Sequence, residues 1–333
     1  MTSRSALFRP DAQAGHGHLS RSLALASAWI DAGGTALVSA PGIDDTWQRR
    51  FEEIGASFEE RSCDWCVLDG YTNGVDVQRA ARAAHGRLLV VDDHGSIGEY
   101  DADVLLDHNV GAAPVPGSDA VQLTGTRYLL LRHEFAAVGI RTGQPSPRHV
   151  LLAPGGTPDD ATTRVFGAVA AALAPGTSVT WLRGVDDVVA TMAAAGAAVA
   201  AAGMTAYELC RVGVPTVLVA VAANQEPVGQ RLGSRGAAHY AGRLDECDGA
   251  SLAAEASGLL DDPDDISAIA QRVVDGAGPR RVVAAMRSFD VDLRDAGPDD
   301  VELIWRWAND PDVRRQSFSV DAIPLEHHRS WFG

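Results

Sequence analysis

The sequence predicts an α/β fold made of two doubly wound domains with mostly parallel sheets. Three observations predict it. Short apolar runs rich in β-formers alternate with helix-length stretches, the rhythm of a parallel sheet covered on both faces. The rhythm breaks at Gly143-Gln144-Pro145-Ser146-Pro147, where two prolines and polar neighbours read as a linker, and then restarts. Glycine-rich turns stand between strand and helix in both halves. Ligands of such sheets bind at the carboxyl ends of the strands, beside helix N-termini, so two Rossmann-like domains facing one cleft are expected. The 333 residues leave room for two domains and a little more. The expected limits are 1–143, 144–288 and 289–333.

In the first half the expected strands are Ala6–Phe8, Thr35–Ser39, Trp65–Leu68, Arg87–Val91 and Val104–Asp107. Helical stretches Leu19–Asp31, Asp45–Ile54 and Val75–His85 lie between them. The second half opens with strand His149–Ala153, the turn Pro154-Gly155-Gly156-Thr157 and helix Ala161–Leu173. Strands near Val179–Leu182 and Thr216–Val219 come after it, with helix Ala206–Val212 before the latter. Beyond Phe289 the pattern changes. Pro298–Trp307 reads as an amphipathic helix with an acidic first turn. A segment of about forty residues cannot easily bury a core of its own.

Composition narrows the function. Hydrophobic residues make up 46%, and 44 acidic against 28 basic side chains give a net charge of −16. A general nucleic-acid or membrane-surface binder would usually be basic, so neither partner is expected. Cys63 and Cys66 form a lone C-x-x-C, with Cys210 and Cys247 apart. A zinc site needs a second close pair or suitably spaced histidines, so no metal is expected. The N-terminus lacks a signal-peptide core, and alanine-rich Ala190–Ala202 is too short and too weakly apolar to span a bilayer. A cytoplasmic chain with reduced thiols is the default.

The loop Gly15-His16-Gly17-His18-Leu19-Ser20-Arg21 carries the densest chemistry. Gly15 and Gly17 let a ligand approach the backbone at a helix start, where exposed N–H groups suit anions. His18 reads either as a packing or phosphate-binding histidine or as a general base for water or a sugar hydroxyl. His16, two positions away, is expected to face solvent. Asp11 comes just after the first strand and either orients His18, binds a sugar hydroxyl or merely forms a turn after proline. Asp69-Gly70-Tyr71 and Asp92-Asp93-His94 end two further strands, so their carboxylates either point into the cleft or cap the next loop or helix. Adjacent side chains in extended chain diverge, which argues against a metal held by Asp92 and Asp93. In the second half, Gly155-Gly156-Thr157 and Gly203-Met204-Thr205 each precede a helix and can receive a phosphate. Glu208 can accept two ribose hydroxyls, or simply stabilise its helix dipole. The amides of Asn224 and Gln225 suit sugar recognition, or brace their loop.

In this order the pieces resemble a known family. They are Phe8-Arg9-x-Asp11, Gly15-x-Gly17-His18-x-x-Arg21, Val67-Leu68-Asp69-x-Tyr71 and Val91-Asp92-Asp93. Leu130-Leu131-Arg132-x-Glu134-Phe135, Gly155-Gly156-Thr157-x-Asp159, Ala202-Gly203-Met204-Thr205-x-x-Glu208 and Asn224-Gln225 complete the set. The set is similar to the UDP-2,4-diacetamido-2,4,6-trideoxy-β-L-altropyranose hydrolases of pseudaminic acid biosynthesis, relatives of MurG-type glycosyltransferases with a GT-B fold. The likeness covers about residues 4–285. It implies hydrolysis of a UDP-sugar to UDP and free sugar, by inverting attack of water at the anomeric carbon, without cofactor or metal. It implies His18 as the base, with Tyr71 and Asn224 in the active site and Asp11, Gly15, Gly17, Arg21 and Gln225 about the substrate. UDP would sit on Gly155, Gly156, Thr157, Gly203, Met204, Thr205 and Glu208. Met204 departs from the pattern, since relatives carry a small residue there. A UDP-sugar glycosyltransferase on the same fold is the alternative enzyme, and a nucleotide-sugar binding protein without turnover is the alternative class.

The end of the chain has its own resemblance. Leu293-Arg294…Trp305-Arg306-Trp307-Ala308-Asn309-Asp310…Trp331-Phe332 is similar to the start of a GNAT N-acetyltransferase acting on amino sugars. The Gly-rich pyrophosphate loop of that family does not occur before Gly333, so a truncated fusion without acetyl-CoA activity is expected, its partner being the missing remainder of that domain.

Overall fold

A computed structural model describes residues 4–13, 15–93, 95–142, 148–156, 158–262, 264–291, 294–317 and 319–332. The expected linker Gly143–Pro147, together with His94 and Thr157, lies outside the described residues. Two compact units are formed, 1–286 and 287–333.

Two parallel sheets make up the larger unit. The first runs through β1 (Ser5–Pro10), β2 (Thr35–Val38), β3 (Trp65–Asp69), β4 (Arg87–Val91), β5 (Val104–Asp107) and β6 (Val121–Thr124). Their spatial order is β2-β1-β3-β4-β5-β6, all parallel. Helices α1 (His16–Asp31), α2 (Asp45–Glu53) and α3 (Val75–Ala84) fill the crossovers. The second sheet takes β7 (His149–Ala153), β8 (Ser178–Trp181), β9 (Ala197–Ala201), β10 (Thr216–Ala220) and β11 (His239–Arg243) in the order β11-β10-β9-β7-β8. Around it lie α4 (Asp160–Ala172), α5 (Val188–Ala193), α6 (Met204–Val212), α7 (Glu226–Ser234), α8 (Gly249–Asp261) and α9 (Asp264–Val273), and α10 (Gly278–Ser288) follows them in the chain. Strand order reverses between β1 and β3 in one sheet and between β7 and β9 in the other. Loops diverge at such a switch point and leave a crevice at the strand ends. The first turn of α1, after β1, carries His18 and the loop after β3 carries Tyr71; the loops after β7 and β9 carry Gly155-Gly156 and Gly203.

Three strands escape the periodicity reading, β6, β9 and β11. β9 is the alanine-rich segment, with all five residues buried. Alanine has little strand propensity, but between α-helical layers its small side chain fits where β-branched residues would crowd. Two helices start earlier than expected. α1 begins at His16 and α6 at Met204, each behind a glycine N-cap without a side-chain hydrogen bond. No Ser, Thr, Asp or Asn marks those starts, so the usual signal is missing. Elsewhere the signal is present: Asp159 caps α4 by accepting from the Thr162 N–H at 2.7 Å.

The halves share packing. Val110, Leu129, Leu131 and Phe135, which precede the expected linker, are buried in the core of the second sheet with Leu151, Ala198 and Leu218. α10 docks on the same segment: a methyl on Gly278 would collide with the Leu129 carbonyl oxygen. Among the described residues, no helix is long and apolar enough to cross a membrane.

The smaller unit, 287–333, contains α11 (Val301–Ala308), α12 (Pro311–Arg315) and α13 (Leu325–Phe332). The Trp305 indole N–H donates to the Ile323 carbonyl at 2.6 Å, and Arg329 pairs with Glu302 at 3.1 Å. Leu303, Trp307 and Trp331 are exposed.

Candidate active site

A cleft of about 480 Å³ is lined from both sheets by the loops at the two switch points. His16, Gly17, His18, Arg21 and Tyr71 come from one side. Gly155, Gly156, Gly203, Met204, Thr205, Glu208, Asn224 and Gln225 come from the other. The volume falls within the range of about 300–1,000 Å³ usual for small-molecule sites.

His18 is held from behind. Its Nδ1 lies 2.7 Å from Oδ1 of Asp69, at the end of β3. Arg21 Nη2 lies 3.0 Å from the same nitrogen. Both cannot be hydrogen bonds to one tautomer. A carboxylate only accepts, and Arg21 Nη2 already donates to that Asp69 oxygen at 2.5 Å. Nδ1 therefore carries a proton, and in the neutral form of this cleft-lining ring the lone pair is on Nε2. The Asp69 carboxyl is completely buried, which alone would raise its pKa; Arg21 and His18 beside it hold it below the usual carboxylate range instead.

Arg21 is the centre of a buried charge cluster. Its Nε donates to Asp69 at 2.7 Å and its Nη1 to both Asp93 oxygens, at 2.9 and 3.0 Å. All its nitrogens are thus engaged by protein groups, while the residue itself stays in the cleft lining, where it was expected. Burial works against its charge, but Asp69 and Asp93 hold the guanidinium protonated. Asn109 donates to Asp93 at 2.8 Å and to Asp107 at 2.9 Å. Asp92 faces away, accepting from Ser96, Tyr100 and the Ile97 N–H, so the two aspartates diverge as extended geometry demands.

Asp11 does not orient His18. It accepts from the Gln13 N–H at 3.0 Å, the turn-forming role, and is not part of the cleft lining. Asp69 has the orienting position, because β3 pairs directly with β1. Gly15 also lies outside the lining; its φ of 115° turns the chain into α1.

Tyr71 links the two walls of the cleft. Its ring meets His18 edge-on, with centroids 4.9 Å apart, and its hydroxyl accepts from Asn224 Nδ2 at 3.2 Å. Tyr207 of α6 donates to Asn109 at 3.3 Å and accepts from the Val110 N–H at 3.1 Å. Met204 fills the space beside Gly17: its Cγ would lie 3.7 Å from a methyl there. Glu208 is buried, and burial raises its pKa against the pull of Arg132, whose Nη2 donates to it at 3.1 Å. Among the described residues, His108 Nε2 has no partner while Nδ1 accepts from the Leu130 N–H at 3.2 Å. Burial, with Arg21 nearby, pushes the His108 pKa down to about 4, so its ring is neutral near pH 7.

No family model matches the chain, and no curated protein matches it. Solved structures do. The MurG structure from Acinetobacter baumannii superposes with a TM-score of 0.63 at 14% identity, covering 86% of this chain and 100% of that one. The chain has a fold of the GT-B glycosyltransferase type. The glycosyltransferase SnogD from Streptomyces nogalater aligns with a TM-score of 0.59 at 16% identity over 87% of this chain and 100% of its own. The spinosyn rhamnosyltransferase SpnG, complexed with thymidine diphosphate, aligns at 0.52 and 14% identity over 86% of this chain and 100% of its own. At these identities the likeness concerns the fold. In this GT-B chain the cleft between the two sheets is the place where both glycine-turn sets and the His18–Asp69 pair meet.

Proposed function

We propose that the cleft breaks the anomeric C–O bond of a UDP-sugar and passes the glycosyl group to an oxygen nucleophile. The observation that carries this is the His18–Asp69 pair facing the Gly155-Gly156 and Gly203–Thr205 turns. In this reading His18 Nε2 takes the proton from the attacking O–H as the new C–O bond forms. The electron pair of the old bond leaves on the diphosphate oxygen, at the opposite face of the sugar, with inversion. Asp69 fixes the tautomer and stabilises the imidazolium. The diphosphate charge is met by backbone N–H groups of the Gly155-Gly156 turn and of the start of α6. Glu208 exchanges Arg132 for ribose hydroxyls, and Asn224 and Gln225 hold the sugar.

The neighbours named glycosyltransferases support an acceptor hydroxyl as the nucleophile. Water is the second reading. It rests on the motif order likened to the altropyranose hydrolases and on Tyr71, which packs edge-on against His18 and is tied across the cleft to Asn224. Incubation with UDP-sugars, with and without acceptor alcohols, separates them. UDP release without acceptor supports hydrolysis, and release only with acceptor supports transfer. Either is expected to vanish in His18→Ala. UDP binding with no release under any condition sinks the catalytic reading and leaves a binding protein. For residues 289–333 the reading is the motif likeness to the start of a GNAT acetyltransferase, and no chemistry is assigned to it.

A further inference from the structure

His16 is solvent-exposed, as its position in the loop suggests, yet its ring leans across the cleft. A methyl on Gly156 would stand 2.8 Å from His16 Nδ1, 3.4 Å from Cγ and 3.6 Å from Cβ. The imidazole at the start of α1 therefore rests directly over the backbone of the second sheet's glycine turn. Two residues of α2 frame it. Trp47 meets the ring edge-on with centroids 5.7 Å apart, and the Arg50 guanidinium lies over the same indole at 4.8 Å. Among the described residues, no hydrogen bond or ion pair engages the His16 ring, whereas His18, two positions on, is fixed by Asp69. Residues two apart on a helix point to different sides, so one turn of α1 presents two histidines to two parts of the cleft.

We infer that His16 is a diphosphate-binding residue, donating from its imidazole to a phosphate oxygen seated on the Gly155-Gly156 turn. The inference rests on the nucleotide-sugar reading and adds to it a contact from the opposite wall. The turns at Gly156 and Gly203 supply backbone donors from the second sheet only. A diphosphate held from one side has oxygens turned toward the first sheet, and His16 is placed to meet them. Arg50, parked on Trp47, adds positive charge at the same wall. As the anomeric bond breaks, negative charge grows on the leaving oxygens, and a hydrogen bond from a cationic or neutral imidazole strengthens with it. No proton transfer is required. The contact also gives Gly156 a reason to lack a side chain: a methyl there would displace the imidazole as well as the phosphate.

Calorimetric titrations with UDP and TDP, and with uridine and thymidine, test this on the full chain and on His16→Ala and His16→Asn. His16→Ala is expected to weaken diphosphate binding about ten-fold, the worth of one hydrogen bond to a charged group, and to leave nucleoside binding unchanged. His16→Asn, with an amide nitrogen near the Nδ1 position, is expected to recover part of the loss. Wild-type binding of a diphosphate that His16→Ala does not weaken overturns the inference alone. An equal loss for diphosphate and nucleoside also overturns it, since that pattern reports a general disturbance of the cleft. Failure of the wild type to bind either diphosphate overturns the nucleotide reading itself.

Discussion

Replacing Asp69 by Asn tests both the charge cluster and the orientation of His18. The substitution keeps shape but removes the one charge that His18, Arg21 and Ser22 share. Oδ1 faces His18 and Arg21, and Oδ2 faces Arg21 and Ser22. Whichever way the amide turns, its NH₂ group meets a donor. Arg21 keeps Asp93, so it is not left wholly unpaired. Removing one partner of a buried pair costs about 3–5 kcal/mol, and the surviving Asp93 pairing points to the lower end, about 3 kcal/mol. Urea denaturation at pH 7 should show that loss. The Asp69 carboxyl titrates lower folded than unfolded, so its contribution is fully present above the unfolded value of about 3.9 and fades as pH falls through the folded one. The gap between wild type and Asp69→Asn should therefore close in strong acid. Turnover should fall on the order of a thousand-fold or more, because an amide no longer enforces the Nδ1–H tautomer. UDP affinity should hold, since the nucleotide turns belong to the other sheet. A variant with the wild-type urea midpoint and wild-type UDP release would refute the assignment of Asp69 as the anchor of His18.

Three further outcomes are expected. His108 has a folded pKa of about 4 against about 6.5 unfolded, so the unfolded chain binds the extra proton first and stability falls with pH between those values. Wild type should lose about 2 kcal/mol more than His108→Gln between pH 7 and pH 5 in urea titrations, and equal slopes would contradict a neutral buried ring. Gly278→Ala should lower the melting temperature by several degrees, since the added methyl meets the Leu129 backbone, where nothing flexible can yield. An unchanged melting temperature would mean that α10 does not dock as described. A chain ending at residue 289 keeps the buried Val282, Val283 and Met286 of α10 and should release UDP at the full-length rate; loss of that activity would tie the smaller unit to the cleft.

Much of the architecture is legible in the sequence because alternation of apolar strands and helices is a local property. The strands at Arg87–Val91, Val104–Asp107 and His149–Ala153 appear with the bounds their composition suggests. The glycine turns are legible too, since only glycine suits a backbone like that of Gly15 or Gly155, at φ of 115° and 107°. β9 is not, because what makes Ala197–Ala201 a strand is burial by helices on both faces, and no residue within it carries that information.

The candidate site divides the same way. The sequence by itself marks His18, Tyr71, the paired glycine turns and Glu208, because each sits at a strand end or helix start that its own neighbours define. It cannot choose between Asp11 and Asp69 as the partner of His18. That choice is made when β1 pairs with β3, which brings together residues 51 positions apart. Arg21 with Asp69 and Asp93, Glu208 with Arg132, and His16 with Gly156 are likewise contacts between separate elements. Their partners depend on strand order and on the packing of two sheets about one cleft, which are properties of the folded chain alone.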